Sequence, residues 1–322
     1  MGLRQCNLGH CVHRPHRRSS SCERNHQAFT TRRGLPGTIS LTSMATFILP
    51  FDHRSGLAKE IMETTYPFSP ADRQRAQELK RVIYDAFLEV RHAYDGNDVL
   101  GILIDEETGS QILHDAHHHG IFNILTLEAS GEPTFRLQYG DQSSQRIRMI
   151  GASMGKVLLR FPGLPEKHDR QLQVLQAIHA QLTKAGQRLL IELLSTGSED
   201  EREDFLVHTI RIATEMGIIP EFWKVESLPT EQAWKKVKSV CHDSSGILLL
   251  GRGEDRAHVE EAVKTAAECK ERGKNLIDGF AIGRTLFADE LRKLVAGKMK
   301  RKDAVHAIAE NFHSMIRLWK PV

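Results

Sequence analysis

"GKVLLRF" (155–161), "DRQLQVLQAIHAQLTKAG" (169–186) and "RLLIELL" (188–194) follow one another in the middle of the chain. The first and third pieces are short and almost wholly apolar, which is typical of strands covered on both faces of a parallel sheet. The middle piece repeats its apolar residues at helical spacing and ends in a glycine. The stretch therefore predicts a strand, a helix and a second strand.

Six further apolar runs of the same kind are separated by helical patterns. They are "TFILPF" (46–51), "VLGILI" (99–104), "IFNILTLE" (121–128), "IPEFWKVE" (219–226), "GILLLG" (246–251) and "DGFAIG" (278–283). Eight strands alternating with helices over residues 44–322 predict an α/β fold, a (β/α)8 TIM barrel. The alternative is a doubly wound open sheet. That fold would be expected to have a glycine-rich phosphate-binding fingerprint after its first strand, and "FDHRSG" (51–56) is not one.

Two segments interrupt this regular alternation. The stretch "FRLQYGDQSSQRIRMIGA" (135–152) is long for a connection and predicts a lid or a hairpin. The last helical stretch should split into two helices near "GKMKRKD" (297–303).

The first 43 residues have a different composition from the rest. They contain seven arginines, no lysine and a single acid, Glu23, and they lack apolar periodicity, so we predict a disordered segment before a barrel domain at 44–322. An organelle transit peptide, a nucleic-acid contact and a zinc site at Cys6, Cys11 and Cys22 are alternatives, although the cysteine spacing matches no zinc finger. We favour a start at Met44. The whole chain carries a net charge of only +3, so the body is mildly acidic, which argues against a nucleic-acid partner.

The cysteines, apolar runs and histidines of the body indicate the cellular compartment and whether a cofactor is bound. The body has only Cys241 and Cys269, both in helical patterns, which predicts a reducing, cytoplasmic location rather than a disulfide framework. No apolar run is long enough to span a membrane. His114, His117 and His118 have metal-ligand spacing, but they fall on a helix outside the barrel, so we predict neither a metal site nor a cofactor.

Polar and glycine residues gather at the carboxyl ends of the predicted strands, where barrel enzymes form their active sites. They are Asp52, Arg54, Asp105, Glu128, Lys156, Arg160, Glu192, Lys224, Glu226, Gly251, Arg252, Gly283 and Arg284. One charged strand end is usually solvated or part of a structural network. Their convergence from all eight strands predicts a site.

Lys156, Glu192 and Lys224 together suggest a chemistry. A lysine amine attacks a carbonyl only when it is unprotonated, and burial beside another cation lowers the pKa of a lysine. Lys156 would be that cation, Lys224 the nucleophile and Glu192 the group that moves protons. The alternative is structural: each lysine pairs with a core carboxylate, Glu192 or Glu226.

Strands seven and eight both end in a glycine–arginine pair, "GRG" (251–253) and "GRT" (283–285). Barrels commonly bind phosphate at this position, because glycine lets backbone N–H groups approach the anion and arginine binds it as a fork. The two pairs predict a phosphate site.

The ordered set of these motifs resembles a known family. It consists of "FILPFDHRSG" (47–56), "ILIDEETG" (102–109), "LEASGE" (127–132), "KVLLRFPG" (156–163), "IELL" (191–194), "FWKVES" (222–227), "LLLGRGED" (248–255) and "GFAIGRTLF" (279–287). It resembles the class I aldolase-like family that stands alone or follows the kinase domain of 5-dehydro-2-deoxygluconokinases. That family is similar in turn to the tagatose-bisphosphate and sulfofructose-phosphate aldolases.

The resemblance implies a Schiff-base aldolase of myo-inositol catabolism that cleaves 2-deoxy-5-keto-gluconate 6-phosphate to dihydroxyacetone phosphate and malonate semialdehyde. It implies Lys224 as the imine-forming residue, Lys156 as its neighbour and Glu192 as acid and base. Asp52 and Arg54 would contact substrate hydroxyls or carboxylate, and Arg252 and Arg284 the phosphate. Two alternatives remain open: an aldolase for another ketose phosphate, of the tagatose or sulfo-sugar type, and a non-catalytic sugar-phosphate-binding barrel. Assembly into a homo-oligomer also remains open.

Overall fold

The computed structural model of the protein describes residues 44–132, 135–161, 169–198 and 200–320. Residues 1–43 lie outside the described residues, so the disordered segment and its alternatives stay predictions. No helix in the described part is long and apolar enough to cross a membrane.

Eight parallel strands close into a barrel. They are β1 (Thr46–Pro50), β2 (Val99–Ile104), β3 (Phe122–Thr126), β4 (Met154–Phe161), β5 (Leu189–Ser195), β6 (Phe222–Val225), β7 (Gly246–Leu250) and β10 (Gly279–Ala281), since a separate two-stranded hairpin lies between β7 and β10. Around the barrel they pair in the order β1-β10-β7-β6-β5-β4-β3-β2. Each lies within one of the predicted apolar runs or extends it by a residue. The (β/α)8 barrel is therefore confirmed, and the open sheet is excluded because β1 pairs with both β2 and β10.

Ten helices are described around the barrel. They are α1 (Ser55–Glu60), α2 (Pro70–Ala93), α3 (Glu106–His118), α4 (Ser143–Ile150), α5 (Asp169–Lys184), α6 (Arg202–Glu215), α7 (Glu231–Val240), α8 (Arg256–Glu268), α9 (Arg284–Val295) and α10 (Arg301–Trp319). The predicted split of the last helical stretch is confirmed, since α9 and α10 are separated by residues 296–300.

Two local predictions need correction, and one element was not predicted. The segment 135–152 holds a 3-10 turn (Gly140–Gln142) and α4, and its one hairpin-like feature is an isolated antiparallel bridge between Glu128 and Leu137. Cys241 and Cys269 lie just after helices, at their C-caps. An exposed hairpin of two-residue strands, β8 (Lys270–Glu271) and β9 (Lys274–Asn275), was not predicted because neither strand has an apolar residue.

The apolar core has two parts. The larger part lies between the barrel and its helices and includes Trp223, Phe87 and Phe312. The smaller part fills the barrel interior with Ile48, Val99, Leu103, Phe122, Ile124, Met154, Leu190, Phe222, Leu248 and Ala281. Among the described residues, this apolar layer fills the barrel below the carboxyl ends of the strands, where barrel enzymes bind their ligands.

Candidate active site

The inner face of the barrel changes from apolar to charged within one pleat of three neighbouring strands. Residues two apart on a strand point to the same face. The pairs are Met154 and Lys156 on β4, Leu190 and Glu192 on β5, and Phe222 and Lys224 on β6. The apolar member of each pair belongs to the interior core, so the charged member lies directly above it.

Lys156 lies at the centre of three carboxylates and is almost completely buried. Its Nζ is 2.9 Å from Oδ2 of Asp52 and 2.6 Å from Oε1 of Glu128. Oε2 of Glu192, on the neighbouring strand β5, lies 2.9 Å from the same Nζ. Asp52 is held further by the hydroxyl of Thr126, which donates to its Oδ2 at 2.9 Å.

Lys224 shares one of these carboxylates. Its side chain is 4% exposed, and its Nζ lies 2.8 Å from Oε1 of Glu192. Glu192 and Lys224 are direct partners in the β5–β6 register, and Glu192 therefore bridges the two lysines with one oxygen each. Both the catalytic hypothesis and the structural alternative expected these lysines near Glu192, and neither lysine pairs with Glu226.

The charges in this cluster set its protonation. Burial opposes ionisation of Glu192, but Lys156 and Lys224 together lower its pKa to about 2. Burial also opposes ionisation of Asp52, yet the positive charges of Lys156 and Lys224 hold its pKa well below the ordinary value. Burial alone would lower the pKa of Lys156, but the three carboxylates raise it well above the usual range. At neutral pH Lys156 is therefore a cation and Glu192 an anion.

A polar cavity of about 400 Å³ opens above the cluster. Lys224, Lys156, Glu192, Asp52 and Glu128 line its floor. This volume is that of a small-molecule site. The structure thus brings residues from β1, the segment after β3, β4, β5 and β6 to one space.

The two glycine–arginine pairs line one side of the cavity. Nη1 of Arg284 lies 2.8 Å from Oε1 of Glu60, and its Nη2 donates to the backbone carbonyl of Arg252 at 2.6 Å. Arg284 is also the first residue of α9, so the unpaired N–H groups of that helix start here. Gly283 is required for packing, since a Cβ there would lie 2.1 Å from the carbonyl oxygen of Pro50.

Arg54 and Arg160 also line the cavity. Arg54 is buried and donates to Gln138 at 2.6 Å and to the backbone carbonyl of Glu128 at 2.7 Å. Arg160 is exposed at the mouth.

Two of the predicted residues are not among those that line the cavity. Asp105 caps the start of α3 and forms a fully buried ion pair with Lys80 of α2. Glu226 is also buried, where it accepts a hydrogen bond from the Ser195 backbone at 2.7 Å and pairs with Arg252. Both follow a strand end, but their side chains are engaged behind the cavity wall, so direct substrate contact is not assigned to them.

Sequence reasoning did not single out His53 and Glu60. Both line the cavity, His53 beside Asp52 and Glu60 as the partner of Arg284. Burial is the main reason that the pKa of His53 falls to about 4, so its ring is neutral at physiological pH. His53 stands inside the "FDHRSG" motif (51–56), whereas Glu60 gave no signal because a charged residue on a short helix is common.

The described residues contain no group of three or more His, Cys, Asp or Glu side chains arranged to hold a metal ion. His114, His117 and His118 lie on α3, outside the barrel as predicted.

A family profile described as "uncharacterized protein conserved in bacteria" (DUF2090) matches residues 13–322. The chain belongs to the DUF2090 family. A comparison of this DUF2090 chain with curated proteins gives no match.

Several solved structures with a similar fold are described as fructose-bisphosphate aldolases. An archaeal fructose-1,6-bisphosphate aldolase, solved with its catalytic lysine covalently bound to the carbinolamine intermediate, is 18% identical, with a TM-score of 0.53 and coverage of 85% of this chain and 99% of its own. The fructose-bisphosphate aldolase of Slackia heliotrinireducens is 12% identical, with a TM-score of 0.56 and coverage of 84% and 88%. A second structure of an archaeal fructose 1,6-bisphosphate aldolase is 18% identical, with a TM-score of 0.55 and coverage of 85% and 99%. At these identities, the likeness supports the fold of the DUF2090 chain.

Proposed function

We propose that this protein is a class I aldolase that forms a Schiff base between Lys224 and a phosphorylated keto sugar. The observation that carries the proposal is the position of Lys224, buried on the cavity floor with its Nζ 2.8 Å from Glu192 and with the fixed cation Lys156 on the other oxygen of that carboxylate. The archaeal structure with a carbinolamine on its catalytic lysine supports it, because that chain has the same barrel.

Lys224 and Glu192 on the cavity floor would have different roles in the reaction. The Lys224 amine attacks the ketone and loses water to give an iminium, which withdraws electrons from the scissile carbon–carbon bond. The Glu192 carboxylate lies where the positive nitrogen develops and stabilises it electrostatically. Because the pKa of Glu192 is about 2, we assign it this role instead of the acid–base role expected from the sequence.

The phosphate would bind at the side formed by Gly251, Arg252, Gly283 and Arg284. Arg284 is held in place by Glu60 and by the Arg252 carbonyl, so its guanidinium is oriented before a ligand arrives. The start of α9 adds backbone donors and a favourable dipole for an anion.

For the substrate itself we propose 2-deoxy-5-keto-gluconate 6-phosphate, with dihydroxyacetone phosphate and malonate semialdehyde as products. Arg54 and Asp52 line the cavity, and we expect them to contact the carboxylate or hydroxyls of such a sugar acid. A cytoplasmic role in inositol catabolism would follow from this substrate. A ketose phosphate of the tagatose or sulfo-sugar type is the alternative.

One observation favours a second candidate, a non-catalytic sugar-phosphate-binding barrel. Both lysines are paired with carboxylates. These ion pairs would also stabilise a cavity that binds a sugar phosphate without cleaving it.

A coupled assay for dihydroxyacetone phosphate separates these functions. Wild type and Lys224→Ala are given a panel of phosphorylated keto sugars and keto sugar acids. We expect release from the sugar acid with wild type and none with the variant. Tight binding across the panel without release would support the non-catalytic barrel, and release only from tagatose or sulfo-sugar phosphates would change the substrate.

Replacing Arg284 by glutamine tests the phosphate site. A hydrogen bond to a charged group is worth about 1.5–3 kcal/mol, so we expect KM to rise about 10- to 100-fold with a smaller change in kcat. Arg292→Gln is the matched control, because Arg292 also contacts residue 60, through the Glu60 carbonyl at 3.2 Å, but does not line the cavity. Equal KM values for the two variants would contradict a phosphate site at Arg284.

A further inference from the structure

The buried cluster on the cavity floor has more carboxylates than lysines. Asp52, Glu128 and Glu192 surround Lys156, and Lys224 adds one more cation at Glu192. With every group ionised, the five side chains would carry one uncompensated negative charge. An uncompensated buried charge is costly, and the usual outcome is that one group binds a proton.

The hydrogen bonds show which carboxyl group is least supported as an anion. Glu192 receives a lysine on each oxygen, at 2.8 and 2.9 Å. Asp52 receives Lys156 and the Thr126 hydroxyl. Glu128 receives Lys156 on Oε1 only, and its Oε2 is a buried atom that no donor among the described residues reaches.

Arg54 is a further cation on this side of the cavity, and it leaves the Glu128 carboxyl group unsupported. It donates to the Gln138 side chain and to the backbone carbonyl of Glu128. Burial opposes the Glu128 anion most; Lys156 and the backbone N–H of Glu128 itself favour the anion, and Asp52 opposes it. The balance, with burial as the largest contribution, is a pKa of Glu128 raised above its ordinary value, in contrast to the lowered pKa values of Asp52 and Glu192.

We propose that Glu128 holds the single proton of this cluster and is the residue that gives and takes protons during the reaction. This inference rests on the proposed function for its catalytic part, while the location of the proton is independent of it. Glu128 lines the cavity and so can contact a substrate bound at Lys224.

Water is the only further reactant in the proton balance of the proposed step. The Lys224 ammonium first gives one proton to water, and its neutral nitrogen then bonds to the ketone carbon and passes a second proton to the ketone oxygen. The Glu128 carboxyl protonates this carbinolamine hydroxyl, the C–O bond breaks, water leaves and the nitrogen lone pair forms the C=N bond. The Glu128 carboxylate then accepts the proton of the hydroxyl beyond the scissile bond, while the C–C electron pair moves to the iminium and gives an enamine and an aldehyde. The regenerated acid can protonate the enamine carbon before hydrolysis.

Infrared difference spectroscopy of the free protein at neutral pH tests where the proton lies. We expect a carboxylic-acid C=O stretch in wild type and its loss in Glu128→Gln. The control Glu203→Gln should keep the band, because Glu203 of α6 pairs with Lys236 and does not line the cavity. The proposal is overturned if the band is missing from wild type, or if it persists in Glu128→Gln and disappears in Asp52→Asn.

The same variants test catalysis. We expect Glu128→Gln to lower kcat about 10²- to 10⁴-fold with little change in KM, the usual scale for a general acid–base residue, and Glu128→Asp to recover part of that loss. A kcat of Glu128→Gln close to wild type would overturn the catalytic role. If wild type turns over no sugar phosphate at all, the proposed function fails and the catalytic role with it, whereas the infrared result still decides the location of the proton.

Discussion

Replacing Lys224 by methionine is expected to reduce cleavage of the phosphorylated keto sugar by about 10⁴-fold or more, the scale of losing a covalent nucleophile. Methionine has a similar length and suits the buried site, but it has no nitrogen to form the imine. The residual binding of the sugar phosphate should be retained, because Arg252 and Arg284 lie on another side of the cavity. The measurement is kcat by the dihydroxyacetone phosphate assay, with phosphate-ester binding followed by calorimetry.

Lys224→Arg is the matched control for charge. Arginine keeps a cation beside Glu192 but cannot be deprotonated in a protein, so the arginine variant should be as inactive as the methionine variant. Its free energy of unfolding should lie closer to that of wild type. An arginine variant with more than a few per cent of wild-type kcat would contradict the role of a neutral amine.

Replacing Lys156 by methionine is expected to destabilise the fold by about 3–5 kcal/mol at neutral pH, because it leaves buried carboxylates without their cation. Asp52 loses its ion pair with Lys156, Glu128 loses the hydrogen bond that it accepts from Lys156, and Glu192 keeps only Lys224. Activity should fall as well, since the electrostatics of the floor depend on this charge. Unfolding in urea, followed by circular dichroism, measures the loss.

The pH dependence of this loss has a definite sign. In wild type the lowered pKa values of Asp52 and Glu192 contribute stability above the ordinary carboxyl pKa, and that contribution is lost as pH falls towards about 2, the folded pKa of Glu192. In Lys156→Met the carboxylates bind protons more readily when folded, so the difference from wild type should shrink between pH 7 and pH 4. Lys184→Met, at an exposed residue of α5, should differ from wild type by less than about 0.5 kcal/mol at every pH. A difference that grows on acidification would contradict the charge cluster.

The sequence was sufficient for the barrel because each strand is a short, nearly continuous apolar run. "GKVLLRF" (155–161) and "RLLIELL" (188–194) became β4 and β5 within a residue or two. Lys156 and Lys224 stood out for the same reason, since a charged residue in such a run must point into the barrel or into the core. Their meeting at Glu192 follows from the order and the register of β4, β5 and β6, which place Glu192 opposite Lys224 and two residues beyond the partner of Lys156.

Other features of the site depend on contacts that no local pattern encodes. Asp105 and Glu226 follow strand ends like Asp52 and Glu128, but the first pairs with Lys80 of α2 and the second with Arg252. The sequence could not distinguish these pairs, because the partners are distant along the chain. The pKa is raised for Glu128 and lowered for Glu192, and this difference likewise depends on which carboxyl oxygen each lysine contacts. The same holds for the Arg284–Glu60 pair, which joins residues 224 positions apart.

Borohydride trapping tests the central claim most directly. Wild type is incubated with dihydroxyacetone phosphate and sodium borohydride, digested, and its peptides are weighed by mass spectrometry. The predicted result is one reduced adduct on the peptide that contains Lys224, absent from Lys224→Met and present in Lys184→Met. An unmodified Lys224 peptide, or an adduct on another lysine instead, would contradict Schiff-base chemistry at this residue.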